Sequence, residues 1–334
     1  MRLSLETLKH YARSAVENIT RDRFTILAAY LRGSVALQEQ PFLGEATDID
    51  LVFLHADAPS PQREIVRLTD QVHLDIEHHD AALYRRGRAL RVHPWLGPDL
   101  FNAQVLYDPQ HYLDFALSSL RGMFLRPESI AARAETLLQR VRDDVLALEL
   151  SPPASVTPAL DAFLRILQHT ANALALLVGE PLAVRRFLRD FAARLETLGR
   201  PGMYAGILGL LGAPRLDATR LRSLTAEWNQ MMQALPEEDR PVDLQPPRRS
   251  YYRAAFDFYL ESERPHDLLW PLLHTWLLAV QSYPHSEAVQ DGWRGLCAQL
   301  GFEEDVLGEK LQGVVMYTAQ AEDVFQEWRA RQGV

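Results

Sequence analysis

Asp48 and Asp50 stand one residue apart in the run Ala46-Thr47-Asp48-Ile49-Asp50-Leu51-Val52-Phe53, and a Gly33-Ser34 pair lies fourteen residues before the first of them. In an extended segment successive side chains point to opposite faces, so the two carboxylates share one face while Ile49 and Leu51 turn into a core. Carboxylates this close repel each other. A hard cation removes the repulsion; Mg²⁺ or Mn²⁺ takes oxygen ligands of this kind and fills its remaining positions with substrate phosphates. In the later run Val72-His73-Leu74-Asp75-Ile76-Glu77, Asp75 and Glu77 again face one way and Ile76 the other. If the two segments are neighbouring strands, three carboxylates bracket two ions, orienting an incoming hydroxylate and neutralising charge on a transferring phosphoryl group. Gly33 permits a tight turn, Ser34 adds a hydroxyl, and free N–H groups of a helix starting near Val35 would receive phosphate oxygens.

These residues need a sheet to hold them, and the chain supplies one. An amphipathic helix is expected over 4–22, a buried strand over 24–31, a short helical start over 35–38, a loop over 39–46 and a second strand over 48–54. Ile65, Leu68 and Val72 repeat at helical spacing and predict a helix over 62–71; the alternation over 72–78 predicts a third strand. A helix over 81–91 and a short strand over 103–107 close this mixed region at Asp108-Pro109. Beyond it the pattern is helical throughout: 110–124, 128–149, 158–178, 181–198, 215–235, 251–263, 265–282, 285–300 and 303–331, with Pro-rich breaks at 151–158 and 236–247. The expected architecture is α/β plus all-α. An N-terminal domain, 1–110, carries a mixed sheet flanked by helices, and a large helical-bundle domain, 111–334, follows, with a division into two subdomains open near 236–250.

The 334 residues are 47% hydrophobic and 24% charged, enough for two folded domains and too apolar for disorder. The formal charge of -9 repels a polyanion unless a local basic groove overcomes it, so a nucleic-acid substrate is disfavoured. Cys297 is the only cysteine, which excludes an internal disulfide and a multi-cysteine zinc site and fits a reducing, cytoplasmic setting. No signal-peptide pattern opens the chain and no apolar run reaches spanning length, so no membrane association is expected.

Taken together, Leu31-Arg32-Gly33-Ser34-Val35-Ala36, Thr47-Asp48-Ile49-Asp50-Leu51-Val52 and Asp75 resemble the nucleotidyltransferase superfamily with the DNA polymerase beta-like fold, over residues 23–108. The layout of a nucleotidyltransferase domain followed by helices is similar to that of the members that modify small molecules such as aminoglycosides. The resemblance implies attack by an acceptor hydroxyl on the α-phosphate of ATP or another nucleoside triphosphate, with release of pyrophosphate. It implies Mg²⁺ or Mn²⁺ held by Asp48, Asp50 and Asp75. Glu77 takes the third position under a two-residue change of alignment, and is otherwise a candidate for a neighbouring or base role. The interval from Ser34 to Asp48 is a few residues longer than usual, which implies a larger loop over the nucleotide. Polymerising, macromolecule-modifying and catalytically silent members of the superfamily stay open as alternatives.

Four further features admit two uses each. Arg85, Arg86, Arg88 and Arg91 form the densest basic patch, and either contact triphosphate or line a solvated helix face. Arg32, immediately before the turn, serves either phosphate or a structural carboxylate. His73, His78, His79 and His93 lack a zinc-ligand interval, although His73 shares the face of Asp75. Glu237-Glu238-Asp239 and Glu303-Glu304-Asp305 read as solvated surface or as contacts for a polycationic acceptor, while Trp270, Leu273, Leu277 and Val280 repeat as core residues do.

Overall fold

The computed structural model describes residues 4–21, 23, 25–38, 42–238, 240–303 and 307–334. Phe24, loop residues 39–41, and Asp239, Glu304 and Asp305 of the acidic triplets lie outside them. Two compact units emerge. Residues 1–129 together with 245–255 form the first, and residues 130–244 together with 256–334 form the second.

The first unit opens with helix α1 (Leu5–Thr20), whose Ser4 side chain accepts from the Thr7 N–H and so caps it. Strand β1 (Ile26–Arg32) runs into the five-residue helix α2 (Gly33–Leu37) and is followed by β2 (Thr47–His55), β3 (Arg63–Arg67) and β4 (Val72–Asp80). A 3₁₀ turn at Ala81–Tyr84 leads to α3 (Gly87–Val92), α4 (Leu96–Phe101), β5 (Gln104–Tyr107) and α5 (Tyr112–Arg121). The strands lie in the order β3-β4-β2-β1-β5. β2 and β4 are parallel, whereas β1 pairs antiparallel with β2 and β5, and β3 pairs antiparallel with β4.

Two differences from expectation have physical causes. Residues 63–67 form a strand, not a helix. The helical repeat of Ile65, Leu68 and Val72 straddles the β3–β4 hairpin, and an edge strand needs no clean burial alternation; Val66 and Leu68 stay exposed. The helix expected over 81–91 is broken at Arg86, whose backbone leaves the helical region at φ -108° and ψ 79° between the 3₁₀ turn and α3.

Both faces of the sheet are covered along most of their length. On one face α1 supplies Leu8, Ala12 and Val16 against Leu31, Ile49, Leu51, Phe53, Leu74 and Ile76. On the other, Ala28, Tyr30, Val52 and Leu54 meet Leu90, Leu100, Leu113, Leu117 and Phe124. α5 therefore belongs with the sheet, and the first unit extends past the expected boundary at 110. Along β2 this second face reads Asp48, Asp50, Val52, Leu54, so the apolar layer ends where the carboxylates begin.

The remaining elements are α6 (Pro127–Leu150), α7 (Val156–Leu176), α8 (Phe187–Thr197), α9 (Gly202–Leu210), α10 (Ala218–Ala234), α11 (Pro246–Leu260), α12 (Leu269–Ser282), α13 (Glu287–Leu300) and α14 (Leu307–Gln332). α7 is the buried axis of the second unit, with Phe163, Ile166, Leu167 and Leu174 fully buried. Trp270, Leu273, Leu277 and Val280 are core residues, as their spacing predicts, and the Trp228 indole N–H donates to Thr275 Oγ1 at 2.8 Å. No helix of the described residues is long and apolar enough to cross a membrane.

Candidate metal centre

The parallel register sets Asp48 opposite His73 and Asp50 opposite Asp75, and the antiparallel register sets Arg32 opposite Asp50. Ligand atoms of Asp48, Asp50 and Asp75 consequently lie within 4.8 Å of one another. Gly33 sits directly beside them at φ 69°, a conformation that disfavours a side chain, and a Cβ built there would overlap Asp50 Oδ2. The glycine of the turn thus lets backbone and carboxylate approach closely.

The three acids have unequal surroundings. Asp75 is buried, and its two oxygens accept from Arg63 of β3, Nε to Oδ1 at 2.8 Å and Nη2 to Oδ2 at 2.7 Å. Arg248 of α11 donates through Nη1 to Asp48 Oδ2 at 3.2 Å and through Nη2 to Asp75 Oδ2. Burial disfavours the Asp75 charge, but the Arg63 hydrogen bonds and the Arg248 charge outweigh it and hold the carboxyl well below the usual range. Asp50 goes the other way: burial first, then the charges of Asp48 and Asp75, push its carboxyl well above the usual range. No described side chain donates a hydrogen bond to Asp50.

Glu77, one pleat further along β4, is turned to other partners. Its Oε1 accepts from Arg32 Nη2 at 2.5 Å, and Arg32 Nη1 donates to Asp99 of α4 at 2.5 Å. Glu77 Oε2 lies 3.0 Å from His79 Nε2, His79 Nδ1 lies 2.6 Å from the Tyr84 hydroxyl, and that hydroxyl lies 2.9 Å from the hydroxyl of Tyr30. Burial opposes the Glu77 charge, yet the His79 hydrogen bond and the Arg32 charge bring its carboxyl down to about 2. Glu77 is thus engaged by Arg32 and His79 and lies outside the aspartate triad. Arg32 pairs with two carboxylates on this face, Glu77 and Asp99.

Arg85, Arg86 and Arg88 are exposed, whereas Arg91 is half-buried and donates to the Ser119 carbonyl at 2.7 Å. His73 is buried and meets the ring of Tyr251 edge-on at 5.1 Å. His78 faces the opposite side of β4, bridging His55 at 2.9 Å and Glu64 at 3.0 Å. The metal-type cluster found among the described residues is the aspartate triad alone.

Arg63, Arg248 and Asp99 were not singled out from the sequence. Arg63 lay hidden in a stretch with a helical repeat. Arg248 fell between the Pro-rich break read over 236–247 and the helix expected from 251, although Pro246-Pro247 opens a helix, where proline is well tolerated, and the two arginines follow at once. No family model matches the chain, and no curated protein matches it.

Proposed function

We propose that this chain transfers a nucleoside monophosphate, AMP from ATP in the first instance, to a hydroxyl of a small acceptor and releases pyrophosphate. The observation that carries this reading is the convergence of Asp48, Asp50 and Asp75 within 4.8 Å, beside a turn whose glycine touches Asp50. The donor set fits Mg²⁺ or Mn²⁺: hard oxygens only, from three residues held by paired strands, with Asp50 free of hydrogen-bond donors among the described residues. A divalent ion bound by Asp48, Asp50 and Asp75 would neutralise triphosphate charge and acidify the attacking hydroxyl.

In the transfer, a bond forms from the acceptor oxygen to the α-phosphorus and the bond from that phosphorus to the bridging oxygen breaks. Pyrophosphate leaves with the electron pair, and the acceptor proton is lost to solvent or its buffer. Gly33 keeps the turn close to the acids, and Ser34 offers its hydroxyl and backbone N–H to phosphate oxygens. Arg32, anchored by Glu77 and Asp99, fixes the end of β1 from which the turn departs. Selection of the acceptor falls to the helical residues beyond 110. The charge of -9 favours a small or cationic acceptor over RNA.

The occupation of Asp48 and Asp75 by Arg248 favours a second reading, a module that binds nucleotide without transfer. Thermal unfolding with each nucleoside triphosphate, with and without Mg²⁺, tests the proposal. Metal-dependent stabilisation is expected, and it should vanish in the Asp48→Ala/Asp50→Ala double variant. Pyrophosphate release across a panel of aminoglycoside, other hydroxyl and amino acceptors, run beside α-labelled ATP in a cell extract, then separates transfer from binding. No stabilisation by any triphosphate overturns both readings; stabilisation without release selects the second.

A further inference from the structure

The segment 245–255 is packed within the first unit by one helical face. Arg248, Tyr251 and Ala254 follow one another at intervals of three residues, so they line one side of α11. Arg248 bonds Asp48 and Asp75. Tyr251 receives the Arg248 guanidinium over its ring at 5.1 Å and meets His73 of β4 edge-on at 5.1 Å. The Ala254 carbonyl rests where Gly44, at φ 68°, has no Cβ to obstruct it. Three separate contacts therefore deliver one guanidinium, 3% exposed, into the triad.

We infer that Arg248 is an internal competitor of the divalent ion, a tethered cation that latches Asp48 and Asp75 together until metal displaces it. The inference rests on the reading of the triad as a metal centre. Its physical basis is the identity of the shared atoms. Arg248 engages Oδ2 of Asp48 and Oδ2 of Asp75, so it uses lone pairs on the two acids that would have to ligate the ion. A ligated Mg²⁺ sits about 2.1 Å from its oxygens, inside the space a hydrogen-bonded guanidinium nitrogen fills, and the two positive charges repel. Arg63 differs in kind. It comes from the neighbouring strand and bonds both oxygens of Asp75. Arg248 holds an oxygen of each of the two acids at once, so a metal that takes those oxygens has to displace this one long side chain.

Mn²⁺ binding to the full chain, followed by the loss of the free-ion electron paramagnetic resonance signal, tests the latch without reference to activity. Arg248→Met keeps most of the side-chain volume and removes the charge. It should bind Mn²⁺ at least about tenfold more tightly than the wild type, because a buried anionic pair left without its cation demands another. Asp48→Asn should bind in neither background. Wild-type binding that Asp48→Asn abolishes but Arg248→Met fails to strengthen overturns the latch and leaves the metal centre standing. Absence of Mn²⁺ binding in both wild type and a folded Arg248→Met overturns the metal centre and the latch with it. Should Arg248→Met not fold, hydrogen exchange of the wild type decides: Mn²⁺ should speed exchange over 245–255 while slowing it over 47–51. Unchanged or slower exchange over 245–255 in a chain that binds Mn²⁺ overturns the latch.

Discussion

Asp75 and Glu77 share one face of β4, two residues apart, yet they belong to regions built on different terms. Glu77 lies in a network whose members all come from the sheet and the helices that follow it, running Asp99, Arg32, Glu77, His79, Tyr84 and Tyr30, each within 3.0 Å of the next. Asp75 lies in a cluster where Asp50 has no hydrogen-bond donor among the described residues and where the bridging cation is Arg248, 200 residues from Asp48 in the chain. A polar network satisfied from within its own fold contributes rigidity. A cluster that needs a cation brought to it is one whose cation can be exchanged. The contrast teaches that two acids on one strand face, alike in residue type, are told apart by the partners brought to them.

The comparison breaks most visibly at Arg32. Arg32→Met leaves Glu77 and Asp99 in a half-buried site without their cation and should cost about 3–5 kcal/mol in denaturant unfolding. The metal-dependent response of the triad to ATP should survive at a temperature where the variant is folded. A variant within about 0.5 kcal/mol of wild type that has lost that response would make Arg32 a ligand-binding residue and erase the distinction.

Glu77 sharpens it through pH. Its folded carboxyl is held at about 2 against an ordinary value of 4.5, so its contribution to stability is fully present above the ordinary value and is lost as pH falls through that interval. Glu77→Gln should therefore lose on the order of 2–3 kcal/mol at neutral pH. The gap from wild type should close as the solution is acidified towards about pH 2. Stability curves at a series of pH values measure this directly.

Asp50 gives the smallest change in stability, with the opposite sign. Its folded carboxyl is raised, so the native state favours the proton and loses stability as pH rises from the ordinary carboxylate range through the raised value. Asp50→Asn should be as stable as wild type or slightly more stable at neutral pH, while its metal-dependent stabilisation by triphosphate disappears. Melting temperatures at two pH values suffice. A loss as large as that of Arg32→Met would place Asp50 with the structural network.

Much of this was legible in single segments. Alternation along β2 and β4 put Asp48 with Asp50 and Asp75 with Glu77, because side-chain direction in a strand is a local property of the backbone. Gly33-Ser34 was legible for the same reason, as a break between a continuous apolar run and a helix start. β3 was not, since an edge strand half exposed to solvent leaves no period that distinguishes it from a short helix. Arg248 was not legible either: its prolines read as an interruption although they open a helix.

The sequence by itself determined which carboxylates share a face, where the tight turn falls, and that a mixed sheet precedes a helical remainder. Tertiary structure decided which acid joins Asp48 and Asp50. The parallel register that seats Ile49 beside Leu74 and Leu51 beside Ile76 over α1 brings Asp75 level with Asp50 and leaves Glu77 to Arg32. It also decided that Arg63 and Arg248 meet the acids. Register and long-range pairing are set by burial of apolar faces summed over many residues, and no local propensity encodes a contact between positions 200 residues apart.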